Sequence, residues 1–263
     1  MTAGRGFDRL LPAVVLVGLL VGWELLVRLA QIPAYTLPAP SAVAQTLWAN
    51  AGSLAGSWWF TVKGTFGGLA VAVVGGVLVA AVFALSAPLE RAFLPVAVML
   101  QVTPVVAVAP LILIYVESTT AALLLCTWLT AFFPILSNTV IGLRATDPGH
   151  RDLFRLYRAS PWQRLRLLLV PTALPYFVAG LKISGGLSLI GAVTAEMVAG
   201  AAGRETGLAS RILEASFRTE TPKMFAALVL LVLTGVAIFW LFDHLSRALL
   251  GHWHAAESAR PHP

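Results

Sequence analysis

The stretch Asp147–Pro171, DPGHRDLFRLYRASPWQRLRLLLVP, is unlike any other part of the chain. Asp147-Pro148-Gly149 is a turn signal, and basic and apolar residues alternate after it: Arg151, Leu153, Phe154, Arg155, Leu156, Tyr157, Arg158. Ser160 followed by Pro161 reads as a helix N-cap with proline at the first helical position. Two short helices are therefore expected, with a break near Ala159–Ser160. A basic amphipathic segment suits an anionic lipid surface. It equally suits a partner protein, because arginines pair with that partner's acidic residues.

The flanks of this segment are apolar. A helix needs about 20 apolar residues to cross the hydrocarbon. Leu11–Leu29, Thr65–Ala87, Leu94–Val116, Ala121–Leu143 and Met224–Leu250 qualify, as does Thr172–Gly200 despite Lys182 and Glu196. The composition agrees: of 263 residues, 58% are hydrophobic and 11% charged, and the mean hydropathy is +0.84. Soluble domains average about 45–50% apolar and about 25% charged. So few charges cannot cover a soluble surface, and the fold class is all-α integral membrane with about six transmembrane helices. The 1–263 chain reads as a single domain, with its core about 60–250 and the loop about 144–171.

The net charge of +6 does not indicate nucleic acid, because cations are a minor constituent. Short cytoplasmic loops are enriched in Lys and Arg. Placing both termini inside gives the inner side eleven of the 18 cations and the outer side six, with Lys182 inside a span. Arg144, Arg151, Arg155, Arg158, Arg164 and Arg166 all fall in the one inner loop. Arg5 and Arg9 ahead of an apolar run resemble a signal peptide, but that run continues to Glu24 and Arg28, and a retained first helix is expected. Cys126 is the only cysteine and lies in an apolar run, which excludes an internal disulfide and a cysteine metal cluster.

Outer segments complete the plan. Ala30–Gly64 carries Leu37-Pro38-Ala39-Pro40 and a short helix expected to open at Ser41 as N-cap, with Trp48, Trp58 and Trp59 at the interface. Ala201–Lys223 holds Arg204-Glu205 and a second short helix around Leu208–Phe217, either a solvated loop or a docking surface.

Several residues carry chemistry or packing. Lys182 and Glu196 sit within about 40° of one helix face but roughly 21 Å apart along it, so they cannot pair. Each has two readings, an interhelical bond or a place on a translocation path. Pro95, Pro104 and Pro110 are expected to break the third span, leaving carbonyls that protein or a wet cavity must satisfy. Gln101 and Thr103 beside that break are candidate path-lining groups. Gly64, Gly68, Ala72, Gly76 and Gly180, Ser184, Ser188, Ala192 form small-residue ladders that let helices approach closely. The lysines follow Val62, Leu181 and Pro222, so none belongs to a phosphate-binding loop. His252, His254 and His262 could hold a metal adventitiously but read as tail. No catalytic or metal constellation is expected.

The order of motifs resembles a known family, the permease subunits of bacterial importers driven by ATP-binding cassette (ABC) proteins. Trp23-Glu24, Leu37-Pro38-Ala39-Pro40, Pro104 with Ala109-Pro110, Phe133-Pro134 with Asn138-Thr139, Ala159-Ser160-Pro161-Trp162-Gln163, Gly180-Leu181-Lys182 and Ala195-Glu196-Met197 are similar to the nitrate/sulfonate/taurine branch. The family's loop signature places its acidic residue on Asp152 and its proline on Pro171, but its glycine falls on Arg158. The resemblance spans essentially the whole chain. It implies the type I ABC importer permease fold, a permease homodimer in the bacterial inner membrane, and a periplasmic or lipid-anchored binding protein. It also implies separate cytoplasmic ATPase subunits that hold ATP and Mg, so that this chain is not itself an enzyme. Asp152, Tyr157, Arg158, Ala159, Ser160, Pro161 and Trp162 would then contact the ATPase. The branch suggests a small oxyanion or sulfonate. Close relatives that carry pyrimidine-type vitamin precursors, together with the stretch Gly185–Ala192, favour a nitrogen heterocycle.

Two other classes compete. A self-contained ion-coupled carrier or channel needs coupling charges in its own spans and often internal repeats. Glu24, Lys182 and Glu196 are the charges noted within spans, and no convincing repeat is present. An intramembrane enzyme needs paired His, Asp or Ser within spans, which the sequence does not offer.

Overall fold

The computed structural model describes the backbone of residues 4–203 and 207–258, and the side chains of 11–203 and 207–251. Arg204-Glu205 and the side chains of His252, His254 and His262 lie outside the described residues. Every described element is helical: α1 (Gly4–Leu29), α2 (Pro40–Ala49), α3 (Ala51–Leu85), α4 (Ala87–Val102), α5 (Val105–Tyr115), α6 (Thr119–Arg144), α7 (Pro148–Leu156), α8 (Pro161–Arg164), a π-helical turn (Leu165–Leu169), α9 (Val170–Ala201), α10 (Leu208–Phe217) and α11 (Thr221–Ser258).

Glycine contacts give the helix directions. On α3, the Thr127 side chain occupies the space a Cβ at Gly68 would need, and a Cβ at Gly76 would meet Ile135 Cγ2 at 2.8 Å. The contacts advance together along α3 and α6, so these helices run parallel. On α9, Gly191 packs on Cys126 and Thr127, Ser184 Oγ donates to the Ala131 carbonyl at 2.7 Å, and Gly180 packs on Pro134 and Asn138. Those contacts run in opposite senses, so α9 is antiparallel to α6. In a bilayer no hydrophobic force draws helices together, and small residues allow the close packing that does. Both ladders therefore grip α6 from two sides.

Two parallel helices joined in sequence require one crossing between them. The α4–α5 pair makes it, bent by 97° at Thr103–Pro104. Among the described residues five helices are long and apolar enough to span, and the bent pair taken as one span is the sixth. Pro104 breaks it because a residue before proline is driven to extended backbone, as Thr103 is with ψ 120°. Pro95 and Pro110, expected to break the span too, lie inside α4 and α5 instead.

Two boundaries also differ from expectation. α3 begins at Ala51, well ahead of Thr65, and takes in Trp58, Trp59 and Lys63. Ser57 and Thr61 lie buried there, with Thr61 Oγ1 within reach of the Ser57 carbonyl at 3.2 Å and Thr65 Oγ1 donating to the Thr61 carbonyl. Hydrogen bonding thus carries the helix through residues whose hydropathy is low. α2 opens at Pro40 with Ala39 as N-cap. Ser41 has another partner: its backbone N and Oγ donate to the Glu24 carboxylate at 3.0 and 2.7 Å, tying α1 to α2.

Candidate functional site

The loop after α6 is built by local rules. Asp147 Oδ1 accepts from Gly149 N at 2.7 Å and His150 N at 3.3 Å, capping α7. At the other end Ala159 N donates to the Phe154 carbonyl and Arg158 N to the Arg155 carbonyl. That pair of bonds is a Schellman motif, whose residue past the cap is left-handed and usually glycine. Here it is Arg158, at φ 49°. The family's glycine position thus coincides with the one left-handed residue of the loop. α8 then opens with the expected Ser160 cap, in a capping box: Ser160 Oγ accepts from Gln163 N at 3.2 Å, and Gln163 Oε1 accepts from Ser160 N at 2.8 Å.

Helical geometry divides α7 into two sides. At about 100° per residue, Arg151 and Arg155 share one side while Leu153 and Leu156 lie opposite. Arg151 reaches back to α6, its Nη2 donating to the Arg144 carbonyl at 2.8 Å and the Leu143 carbonyl at 3.4 Å. A cation on the last carbonyls of a helix also meets the negative end of its dipole. The other side of the loop is open: Leu156 and Tyr157 are each 80% exposed and Trp162 66%. A groove of about 250 Å³ runs between α7 and α8, lined by Leu153, Phe154, Tyr157, Ala159, Gln163 and Leu167. Asp152, Arg158, Ser160 and Pro161 are exposed around it, while Ala159 is half-buried. Exposed aromatic and aliphatic groups with a polar rim have the composition of a protein-docking surface.

The intramembrane candidates lie elsewhere and are not brought together. Lys182 Nζ bonds Asp243 Oδ1 at 2.7 Å and sits 4.9 Å from the Phe239 ring, joining α9 to α11. Arg247 bonds the other Asp243 oxygen. Glu196, 1% exposed, accepts from Ala209 N at 3.0 Å and Thr61 Oγ1 at 3.1 Å. Thr61 Oγ1 in turn accepts from Leu208 N at 2.9 Å, so α3 and α9 together hold the start of α10. Gly207 fits there because a Cβ would strike both Thr61 Oγ1 and the Glu196 carboxylate. Further along α10, the Arg211 guanidinium beside Glu214 holds that carboxyl below its usual range. Gln101 is exposed, and Thr103 Oγ1 donates to the Met99 carbonyl at 2.8 Å, at the α4–α5 bend.

Sequence reasoning missed two carboxylates. Asp243 lies within the last span, and the interhelical-bond reading of Lys182 is the signal that pointed toward such a partner. Glu90, 4% exposed, pairs with Arg144 across the α4 and α6 ends. No local pattern marks it.

The relatives of the chain agree with this architecture. Residues 72–251 match the family described as binding-protein-dependent transport system inner membrane component. A probable ABC transporter permease protein of Haemophilus influenzae is 32% identical over 238 residues, 90% of this chain and 96% of that one. The riboflavin transport system permease protein of Chloroflexus aurantiacus is 34% identical, with 92% and 90% covered. The formylaminopyrimidine transport permease protein of Halalkalibacterium halodurans is 32% identical, with 94% and 97% covered. The MetNI methionine ABC transporter in an inward-facing crystal form shares the fold, with a TM-score of 0.54 at 23% identity over 72% of this chain and 96% of that one. The bent sixth span, the capped loop helices and these matches lead to one conclusion: the chain belongs to the binding-protein-dependent inner membrane component family and is a multi-pass permease of an ABC importer.

Proposed function

We propose that the α7–α8 loop is where the ATPase subunits dock, with Asp152, Tyr157, Arg158, Ala159, Ser160, Pro161 and Trp162 at or near the contact. The observation that carries this is the apolar groove flanked by Tyr157 and Trp162 on an outward-facing loop rooted in α6 through Arg151. ATP and Mg belong to the partner, and closure of the ATPases pulls the loop as a capped, rigid lever. The loop is cytoplasmic, as are both termini, in a bacterial inner membrane. A second copy of the permease completes the path, and a periplasmic or lipid-anchored binding protein delivers the solute. The α9 stripe Ile183, Gly186, Ile190 and Met197 is exposed and faces away from α6 and α11, which suits an inter-permease face. Gln101, Thr103, Lys182 and Glu196 stay as candidates for path residues, with Gln101 and Thr103 the more open to it.

The solute we favour is a small nitrogen heterocycle. The riboflavin and formylaminopyrimidine permeases are 34% and 32% identical over nearly the full chain, the aliphatic sulfonates permease is 26% identical over 86% of it, and the nitrate and bicarbonate permeases match about half. Lys182 is neutralised by Asp243, so it does not stand as a lone cation to draw an oxyanion. Proteoliposomes holding the permease, its ATPase and its binding protein test both readings. Uptake of labelled riboflavin or formylaminopyrimidine is expected only with ATP, and deletion of Tyr157–Trp162 should abolish ATPase association while leaving insertion intact. Uptake of nitrate or a sulfonate alone would reverse the substrate reading. ATPase that still co-purifies with the deleted chain would reverse the docking reading. Transport without any ATPase would favour an ion-coupled carrier.

A further inference from the structure

Beneath α7, on the side away from the docking groove, lies a second cavity of about 230 Å³. Four guanidinium groups line it, from Arg144 of α6, Arg151 and Arg155 of α7, and Arg164 of α8, over an apolar floor that includes Phe83 and Leu143. One carboxylate opposes them. Glu90 pairs with Arg144 through one oxygen, while its other oxygen has no hydrogen-bond partner among the described residues. The buried Nε of Arg151 likewise has none. Arg155 meets only the exposed Asp152, at 3.5 Å. Four lining cations, against Glu90 inside the cavity and Asp152 outside it, leave the cavity positive, and its apolar walls concentrate that field.

The orientation of α7 decides what this charge faces. A helix lying on a bilayer turns its apolar side to the lipid. α7 does the reverse: Arg151 and Arg155 face the ends of the spans, and Leu153 and Leu156 face away. The arginines are therefore placed at headgroup level beside the membrane-crossing helices. Leu85, Leu89 and Phe93 near the same helix ends are exposed, giving an acyl chain an apolar track next to the cavity. Basic pockets between spans on the cytoplasmic side take lipid headgroups. We propose that this cavity binds the phosphate headgroup of an anionic lipid. The headgroup bridges Arg155 and Arg164 of the loop to the Arg144–Glu90 pair of α6 and α4, and so stiffens the root of the lever.

The test uses the intact transporter, permease with its ATPase subunits, released from phosphatidylcholine vesicles with or without phosphatidylglycerol. Native mass spectrometry counts the lipid retained. A saturable site preferring phosphatidylglycerol is expected, and the Arg155→Gln/Arg164→Gln pair should weaken it roughly thirtyfold. Glu90→Gln, which removes the one opposing charge, should tighten it. Undiminished selective binding in the double glutamine variant overturns the proposal, as does weaker binding in Glu90→Gln. Displacement of the lipid by equimolar inorganic phosphate would make the occupant a free anion and overturn the lipid assignment.

Discussion

At the level of single residues, Arg158 holds a backbone conformation that costs an L-residue about 1–2 kcal/mol. Arg158→Gly should therefore stabilise the loop by about 1 kcal/mol while removing a guanidinium from the proposed docking surface. A raised melting temperature of the purified permease with weaker ATPase co-purification would separate the two effects. Glu196 makes the opposite case, a carboxylate whose removal leaves the buried Ala209 N without its acceptor, while Thr61 Oγ1 keeps the Ser57 carbonyl in reach. Glu196→Ala should cost about 1–3 kcal/mol and Glu196→Gln clearly less, read as thermal stability in detergent. The sequence leaves an interhelical bond as one of two readings of Lys182 and marks Ser160 as a cap. It could not disclose that Asp243, 61 residues away, was the partner, because long-range pairing leaves no local pattern.

Elements were legible wherever periodicity and capping agreed. Two short loop helices and the break between them follow from turn and cap residues alone. The early start of α3 was hidden because Ser57, Thr61 and Lys63 lower hydropathy, although the first two are satisfied by hydrogen bonds inside the helix bundle. Ser41 misled for a related reason: a good capping side chain was taken by Glu24 on another helix. The capping box predicts its own test. Ser160→Ala should destabilise the start of α8 by about 1 kcal/mol, seen as faster amide exchange over residues 161–169 with the spans unaffected.

For the whole molecule, α6 is the axis, held by small residues of a parallel α3 and an antiparallel α9. Apolar composition announces spans but not their neighbours, so this arrangement was not legible beyond the two ladders. Gly191→Leu would drive a side chain into Thr127 and Thr130, and loss of a monodisperse protein on size-exclusion chromatography is the expected outcome. The loop hangs from one end of this axis through Arg151, and the proposed docking role rests on that attachment. Site-specific crosslinking tests that most directly, since Cys126 is buried in a span and gives little background. In the assembled transporter, Trp162→Cys carrying a short crosslinker should capture the ATPase subunit, and Arg91→Cys on the α3–α4 side should not. Capture from Arg91→Cys with none from Trp162→Cys would contradict the assignment of the α7–α8 loop as the coupling site.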